Sequence, residues 1–344
     1  MDELMREVRR FKRAAYAETT KTAYKCHLKA YMSFCIDFSR TPIPASQQTV
    51  VAYATYLARR LNPSSIPVYL NVLRILHLEA GFQNPLTENW ELGLIKRGIG
   101  RTHGKPPQQK LPITIDMLRS ISSFLTIRSP ADHAFIAATL IGFFGFFRKS
   151  SLLPAPGAIM AGKFMARSDI TNPSLGSFEL TSRFSKVIQF GQRIHVVPFV
   201  HNPEGRICPV RALLTHLGAS PLSSTRPLFN YTCAGREITF SQAAYVTRLH
   251  TLLKCVGFDP SLYSAHSLRR GGASFAFQVG LSHVQIKSRG DWSSNAFERY
   301  IHINSETAMQ AARAMSAGIP PPVVVTNDQA YPTPARSYHR PHKM

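Results

Sequence analysis

From Phe135 to Phe147 the chain runs for 13 residues with almost no polar side chain, and this run sets the first constraint on the fold. It is too short to span a bilayer, which needs about 20 apolar residues. The run therefore reads as a helix buried on all sides. A helix enclosed in this way needs a core around it. One core stops growing near roughly 250–300 residues, so a chain of 344 residues has length for two. The 44% apolar content is ordinary for a globular protein, and no hydrophobic signal-peptide segment opens the chain.

The periodicity on either side of the run gives the organisation. Residues 1–14 form a basic N-terminal segment. Tyr24, His27, Leu28, Tyr31, Phe34, Cys35 and Phe38 then recur at helical steps. Ser46 is placed to cap a second helix carrying Val50, Tyr53, Ala54, Leu57 and Leu61. A third runs from Ser64 to Gly81, and a short fourth covers Trp90 to Ile95. This predicts a helical bundle over 15–100. Residues 101–112 are basic, contain proline and break every period, as an interdomain linker does, although a surface loop within one domain fits as well.

A second domain is expected over 113–317. Thr114 is placed to cap a helix through Leu125, and Asp132 to open the buried one. Alternating segments at Phe178–Phe184 and Arg193–Phe199 flank a turn near Lys186–Gly191, which predicts antiparallel strands. Helices follow at Pro209–Leu217, Gln242–Val256, Leu268–Val279, His283–Lys287, Asn295–His302 and Glu306–Met315. Residues 318–344 hold six prolines and read as a flexible tail. The fold class is mostly α with a small antiparallel sheet.

Charge narrows the partners. The chain carries 41 Lys+Arg against 19 Asp+Glu, a net +22, which favours a polyanion because each neutralised phosphate releases counterions. DNA or RNA comes first; ribosomal RNA or anionic lipid fits the charge alone. Two basic lobes on a basic tether suit a clamp around a duplex, with Arg101 and Lys105 of the tether touching backbone. Five widely spaced cysteines without Cys-x-x-Cys oppose a disulfide framework or a zinc site. An intracellular protein with reduced thiols is expected. The cluster Arg9-Arg10-Phe11-Lys12-Arg13 suits nuclear import or plain DNA contact.

The chemistry is concentrated near the C-terminal end. Ala265-His266-Ser267-Leu268-Arg269-Arg270-Gly271-Gly272 is followed by Gly290-Asp291-Trp292-Ser293-Ser294 and Glu298-Arg299-Tyr300-Ile301-His302, and Arg148 closes the buried run. Arginine grips two phosphate oxygens with a planar fork and stays charged. A histidine can exchange a proton, an indole can only donate, and a phenol can attack phosphorus. Each alone has a bland reading: a lone arginine is usually a DNA contact, His266 a surface or capping residue, Trp292 a core residue. Together they suit cleavage of a phosphodiester by a tyrosine.

In this order Arg148, His266, Arg269, Trp292 and Tyr300 closely resemble the tyrosine recombinase (phage integrase) family over roughly residues 15–315. The wording His-Ser-Leu-Arg-Arg-Gly-Gly-Ala-Ser with Gly-Asp-Trp-Ser-Ser looks most like recombinases of eukaryotic mobile elements, cryptons and DIRS-type retroelements. The resemblance implies a helical core-binding domain, a mostly helical catalytic domain and a 3′-phosphotyrosyl intermediate. It implies no metal and no cofactor, a double-stranded DNA substrate, and a homo-oligomer, a tetramer on DNA, joined through the Glu306–Met315 helix. Tyr300 matches the nucleophile, Arg148 and Arg269 the phosphate clamp, and His266 the family histidine. Trp292 stands where many members have a second histidine. Lys186 matches the hairpin lysine that protonates the leaving oxygen, with Lys163 its competitor. Lys149, Arg270 and Arg299 are expected DNA contacts. Ser151 departs from the family, which commonly has an acidic residue there. A type IB topoisomerase or a catalytically silent DNA-binding descendant are the rival expectations.

Overall fold

The computed structural model describes residues 1–106, 109–125, 129–155, 159, 163–185, 187–188, 192–301, 309 and 312–313. The chain forms two compact units that divide after Gln108, inside the stretch expected to be a linker. The fold is mostly helical with small antiparallel sheets. Among the described residues no helix is long and apolar enough to cross a membrane.

In the first unit, helices α1 (Asp2–Ala14), α2 (Glu18–Asp37), α3 (Gln47–Ala58), α4 (Ile66–Glu79) and α5 (Trp90–His103) follow in order. Tyr31, Phe34, Tyr53, Leu57, Leu70, Leu73 and Leu92 meet in its core. Ser46 caps α3 by accepting from the Thr49 amide at 3.1 Å, and Asn89 caps α5 from the Leu92 amide at 2.9 Å, each worth about 1 kcal/mol. Helix α1 buries none of its residues. Helix α5 runs eight residues past the expected Ile95, because Ile99 is buried and extends the apolar face beyond two glycines. The first three residues of the expected linker, Arg101 to His103, thus close α5; Arg101 there and Lys105 just beyond it are exposed.

The second unit is built around α7 (Pro130–Phe144), whose residues Ala134–Phe143 are all buried. The all-round apolar run thus does what its composition demands. Its N-cap is Ser129, accepting from the Asp132 amide at 3.2 Å, and Asp132 lies in the first turn. The helix stops earlier than the apolar run. Gly145 ends it and Phe146 takes a left-handed backbone (φ 52°), so Phe146 and Phe147 are buried outside the helix. Arg148 consequently sits not at the helix end but at the N-cap of a short helix, α8 (Lys149–Leu152).

Around α7 pack α6 (Ile115–Phe124), α9 (Pro209–Ala219), α10 (Gln242–Cys255) and α11 (His266–Gln278). Strands β1 (Ile170–Thr171), β2 (Ser177–Ser182) and β3 (His195–Val200) form an antiparallel sheet, with Ser182 opposite His195 and Ser177 opposite Val200. Phe178 and Phe199 stack across it at 4.7 Å. A second hairpin, β4 (Tyr231–Cys233) with β5 (Arg236–Ile238), was not expected, since three-residue strands are too short to show alternation. Helix α12 (His283–Arg289) precedes a 3₁₀ segment over Asn295–Tyr300. The expected helix over Asn295–His302 is therefore corrected: Ser294 caps a tighter turn that ends at Tyr300. Lys186, the Glu306–Met315 helix apart from three of its residues, and the 318–344 tail lie outside the described residues.

Candidate active site

The Gly-Gly pair after Arg270 explains how α11 reaches the centre of the second unit. A Cβ on Gly271 would land on the Ile113 carbonyl, and one on Gly272 on the Phe143 carbonyl. Only glycine lets the helix backbone lie this close to the end of α7. That contact carries Arg269 inward until it is 2% exposed.

Arg269 is fixed by backbone. One terminal nitrogen donates to the Phe146 carbonyl and the other to the Gly290 carbonyl at 2.6 Å. The left-handed turn at Phe146 is thus what aims that carbonyl. The guanidinium carbon lies 3.8 Å from the Trp292 ring centre and 5.5 Å from that of Tyr300. Gly290 must be glycine, because a Cβ there would fall inside the Trp292 ring. Trp292 is 8% exposed and packs on Phe146, Phe297 and Tyr300. Both expected uses of the indole remain visible: it is a core ring, and its Nε1 is buried without an acceptor, as is Arg269 Nε. Neither donor is paired among the described residues, and the guanidinium lies over the indole ring beside the phenol.

His266 and Tyr300 meet directly. The imidazole Nε2 lies 2.9 Å from the phenol oxygen, with the rings 5.0 Å apart. Tyr300 is half-buried, and its carbonyl accepts from Ser274 Oγ at 3.1 Å. Lost hydration, then the cations of Arg269, Arg148 and Arg270, push the imidazole down to about 4. Part of the ring is open to solvent, but the direction is clear: it is neutral at pH 7 and free to accept from the phenol when its own proton is on Nδ1. Burial, then Arg148, lowers Arg269 to about 9, which still leaves it charged at pH 7.

Arg148 is half-buried and lines a cavity of about 10 Å³ with Ser151, Arg269, Arg289 and Asp291. Its charge bears on both His266 and Arg269. The phenol faces a wider cavity of about 280 Å³, lined by Lys110, His266, Arg270, Arg299 and Tyr300. Arg270 is braced there by the Lys110 carbonyl. Lys149 is exposed on α8. Lys163, the competitor of Lys186, is exposed beside Asp169, Ser151 and Arg183. Arg101 and Lys105 belong to the other unit. Among the described residues no group of three or more His, Cys, Asp or Glu is gathered for a metal ion.

Four residues at this place escaped the sequence reading. His195 Nε2 bonds the Arg289 carbonyl at 3.1 Å, and burial lowers its pKa. Arg289 donates from Nε to the Phe144 carbonyl at 2.6 Å and from a terminal nitrogen to the Pro198 carbonyl at 3.0 Å. Asp291 pairs with Arg193. Arg289 resembles any cation in a last helical turn, and His195 any polar residue in an alternating strand. Only Asp291 had a signal, its place inside Gly-Asp-Trp.

No family model matches the chain. An integrase/recombinase xerD homolog of Selenomonas ruminantium is 25% identical over 302 residues, covering 83% of this chain and 82% of the relative. The Tn1549 transposon integrase solved with transposon right-end DNA shares the fold, with a TM-score of 0.56 at 12% identity over 91% of this chain and 98% of that one. A lambda integrase dimer on a COC′ core site has a TM-score of 0.55 at 14% identity over 87% and 76%. The chain is thus similar over most of its length to an integrase/recombinase and shares the fold of these DNA-bound integrases.

Proposed function

We propose that this chain is a site-specific DNA recombinase that cuts and rejoins strands through a covalent link to Tyr300. The observation that carries this is the 2.9 Å bond between His266 and the Tyr300 hydroxyl, next to the unpartnered donors of Arg269 and Trp292. The Tyr300 oxygen attacks the scissile phosphorus as the bond to the 5′-oxygen breaks. Its proton passes to His266, and the leaving oxygen takes one from Lys186, giving a 3′-phosphotyrosyl link and a free 5′-hydroxyl. Arg148, Arg269 and the Trp292 N–H hold the non-bridging oxygens, whose charge grows in the transition state. A 5′-hydroxyl from a partner strand reverses the step on a new junction, so the bond energy is conserved.

Lys149, Arg270 and Arg299, with Arg101 and Lys105 of the first unit, provide charge for duplex phosphates. The motif wording supports an enzyme of a eukaryotic mobile element, acting in DNA integration or transposition and working in the nucleus. Strand exchange between two duplexes calls for a homo-oligomer, a tetramer on DNA.

The test is covalent capture on a nicked suicide substrate. Wild-type protein is expected to form the adduct, and Tyr300→Phe to bind the same DNA and form none. An adduct from Tyr300→Phe would overturn the nucleophile assignment. Wild-type binding without any adduct would favour a silent DNA-binding descendant.

A further inference from the structure

Asp291 is the one carboxylate among the described residues lining the cavity shared by Arg148, Arg269 and Arg289. Its side chain is 8% exposed, and a buried carboxylate persists only where cations and donors replace its lost water. One oxygen pairs with Arg193, and the other accepts from Ser185 Oγ at 3.1 Å. Ser185 lies just after β2 and Arg193 just before β3, so a single carboxylate grips both described flanks of the connecting loop. The Ser185 hydroxyl is fully used: it also accepts the Val187 and Ile188 amides at 3.2 and 3.1 Å, closing a turn at that flank.

The backbone of Asp291 joins this grip to the phosphate-binding arginine. Asp291 adopts a left-handed conformation (φ 54°), and its amide bonds the Ser288 carbonyl at 3.1 Å. The residue before it supplies the Gly290 carbonyl to Arg269, and the residue after it is Trp292, stacked on the guanidinium. Asp291 therefore stands between two partners of Arg269 while its side chain holds the loop.

We propose that Asp291 is a positioning residue for strand cleavage, clamping the β2–β3 loop to the turn that seats Arg269. The proposal rests on the reading above, in which Tyr300 attacks and Lys186, within that loop's sequence, protonates the leaving oxygen. Asp291 acts through Ser185 and Arg193, and it ties the residues flanking this segment to the turn that holds Arg269.

The test compares Asp291→Asn with wild type on two suicide substrates, one with the ordinary 5′-oxygen leaving group and one with a bridging sulfur, which departs without a proton. Asparagine keeps the shape and an acceptor for Ser185 but drops the charge facing Arg193. Cleavage of ordinary DNA should slow about 100-fold, the scale of a misplaced catalytic group. The sulfur substrate should stay within about 3-fold, since it needs no general acid. Amide hydrogen exchange should also quicken over 182–188 while the rest of the unit keeps its protection. If Asp291→Asn fails to fold, Arg193→Gln on the half-exposed side of the pair takes its place and should show the same substrate dependence. Equal slowing on both substrates, no slowing on either, or unchanged exchange over 182–188 overturns the proposal. A wild-type protein that forms no adduct on either substrate instead overturns the enzymatic reading, a result distinct from any of these.

Discussion

Among the described residues the second unit has two buried arginines, each with a histidine beside it, and only one pair belongs to the candidate site. Arg167 donates to the carbonyls of Ser220 at 2.6 Å and Asn230 at 2.9 Å, and Arg269 to those of Phe146 and Gly290. Each has an Nε without a partner. His216, whose charged form Arg167 disfavours, is pushed down to about 4 by burial first, the same level as His266. The surroundings separate the pairs. His216 is fully buried and bonds the Leu228 carbonyl at 3.0 Å, and Arg167 feels the carboxylate of Glu237. Arg269 also feels a carboxylate, Asp291, but it has a second cation, Arg148, and His266 meets an accessible phenol. A buried arginine beside a depressed histidine is therefore not by itself a mark of chemistry. A second cation beside it and a reachable phenol are what set Arg269 apart.

The largest expected effect separates the two arginines by function. Arg269→Ala should slow adduct formation about 10²–10³-fold, the scale for losing one transition-state donor. Arg167→Met should leave the adduct rate of the folded protein unchanged while costing about 1–3 kcal/mol of stability for orphaned carbonyls. Suicide-substrate kinetics and thermal melts on both variants decide this, and slowed cleavage by Arg167→Met would break the contrast.

Acid should unfold the protein through the closed pair first. The folded-state pKa of His216 lies near 4 against an ordinary 6.5, so between these values the unfolded chain binds more protons. Stability is complete above pH 6.5 and falls as pH drops toward 4, by about 3 kcal/mol for this residue. Tm against pH should fall over that window in wild type and more shallowly in His216→Gln. His266 adds in the same direction but less, because water reaches its ring.

The smallest effect isolates the second cation. Arg148→Met removes one of the charges that hold His266 low, so its titration, followed by NMR of the imidazole, should move up toward 6.5. The titration of His216 should not move. An unchanged His266 would mean that Arg148 contributes nothing to the field at the phenol.

Much of this was legible in the chain. The all-round apolar run, the caps at Ser46 and Thr114, the paired strands around 178–184 and 193–199, and the alignment of Arg148, His266, Arg269, Trp292 and Tyr300 all rest on local pattern or side-chain identity. The failures were also local in cause. The apolar run overshot α7 because Phe146 and Phe147 are buried as loop residues, and periodicity cannot tell a buried helix from a buried turn. Tyr300 ends a 3₁₀ segment capped by Ser294, where the residue pattern suggested an α-helix through His302.

The sequence by itself determined most of the helices and which chemical groups are available, because helical period, capping and side-chain functionality are properties of neighbouring residues. Tertiary structure alone decided which of two buried arginines stands beside a second arginine and a phenol, and that the carboxylate of Asp291 grips Arg193 and Ser185, 98 and 106 positions away. Desolvation and Coulomb energy depend on what lies within a few ångströms, and the distance along the chain says nothing about that.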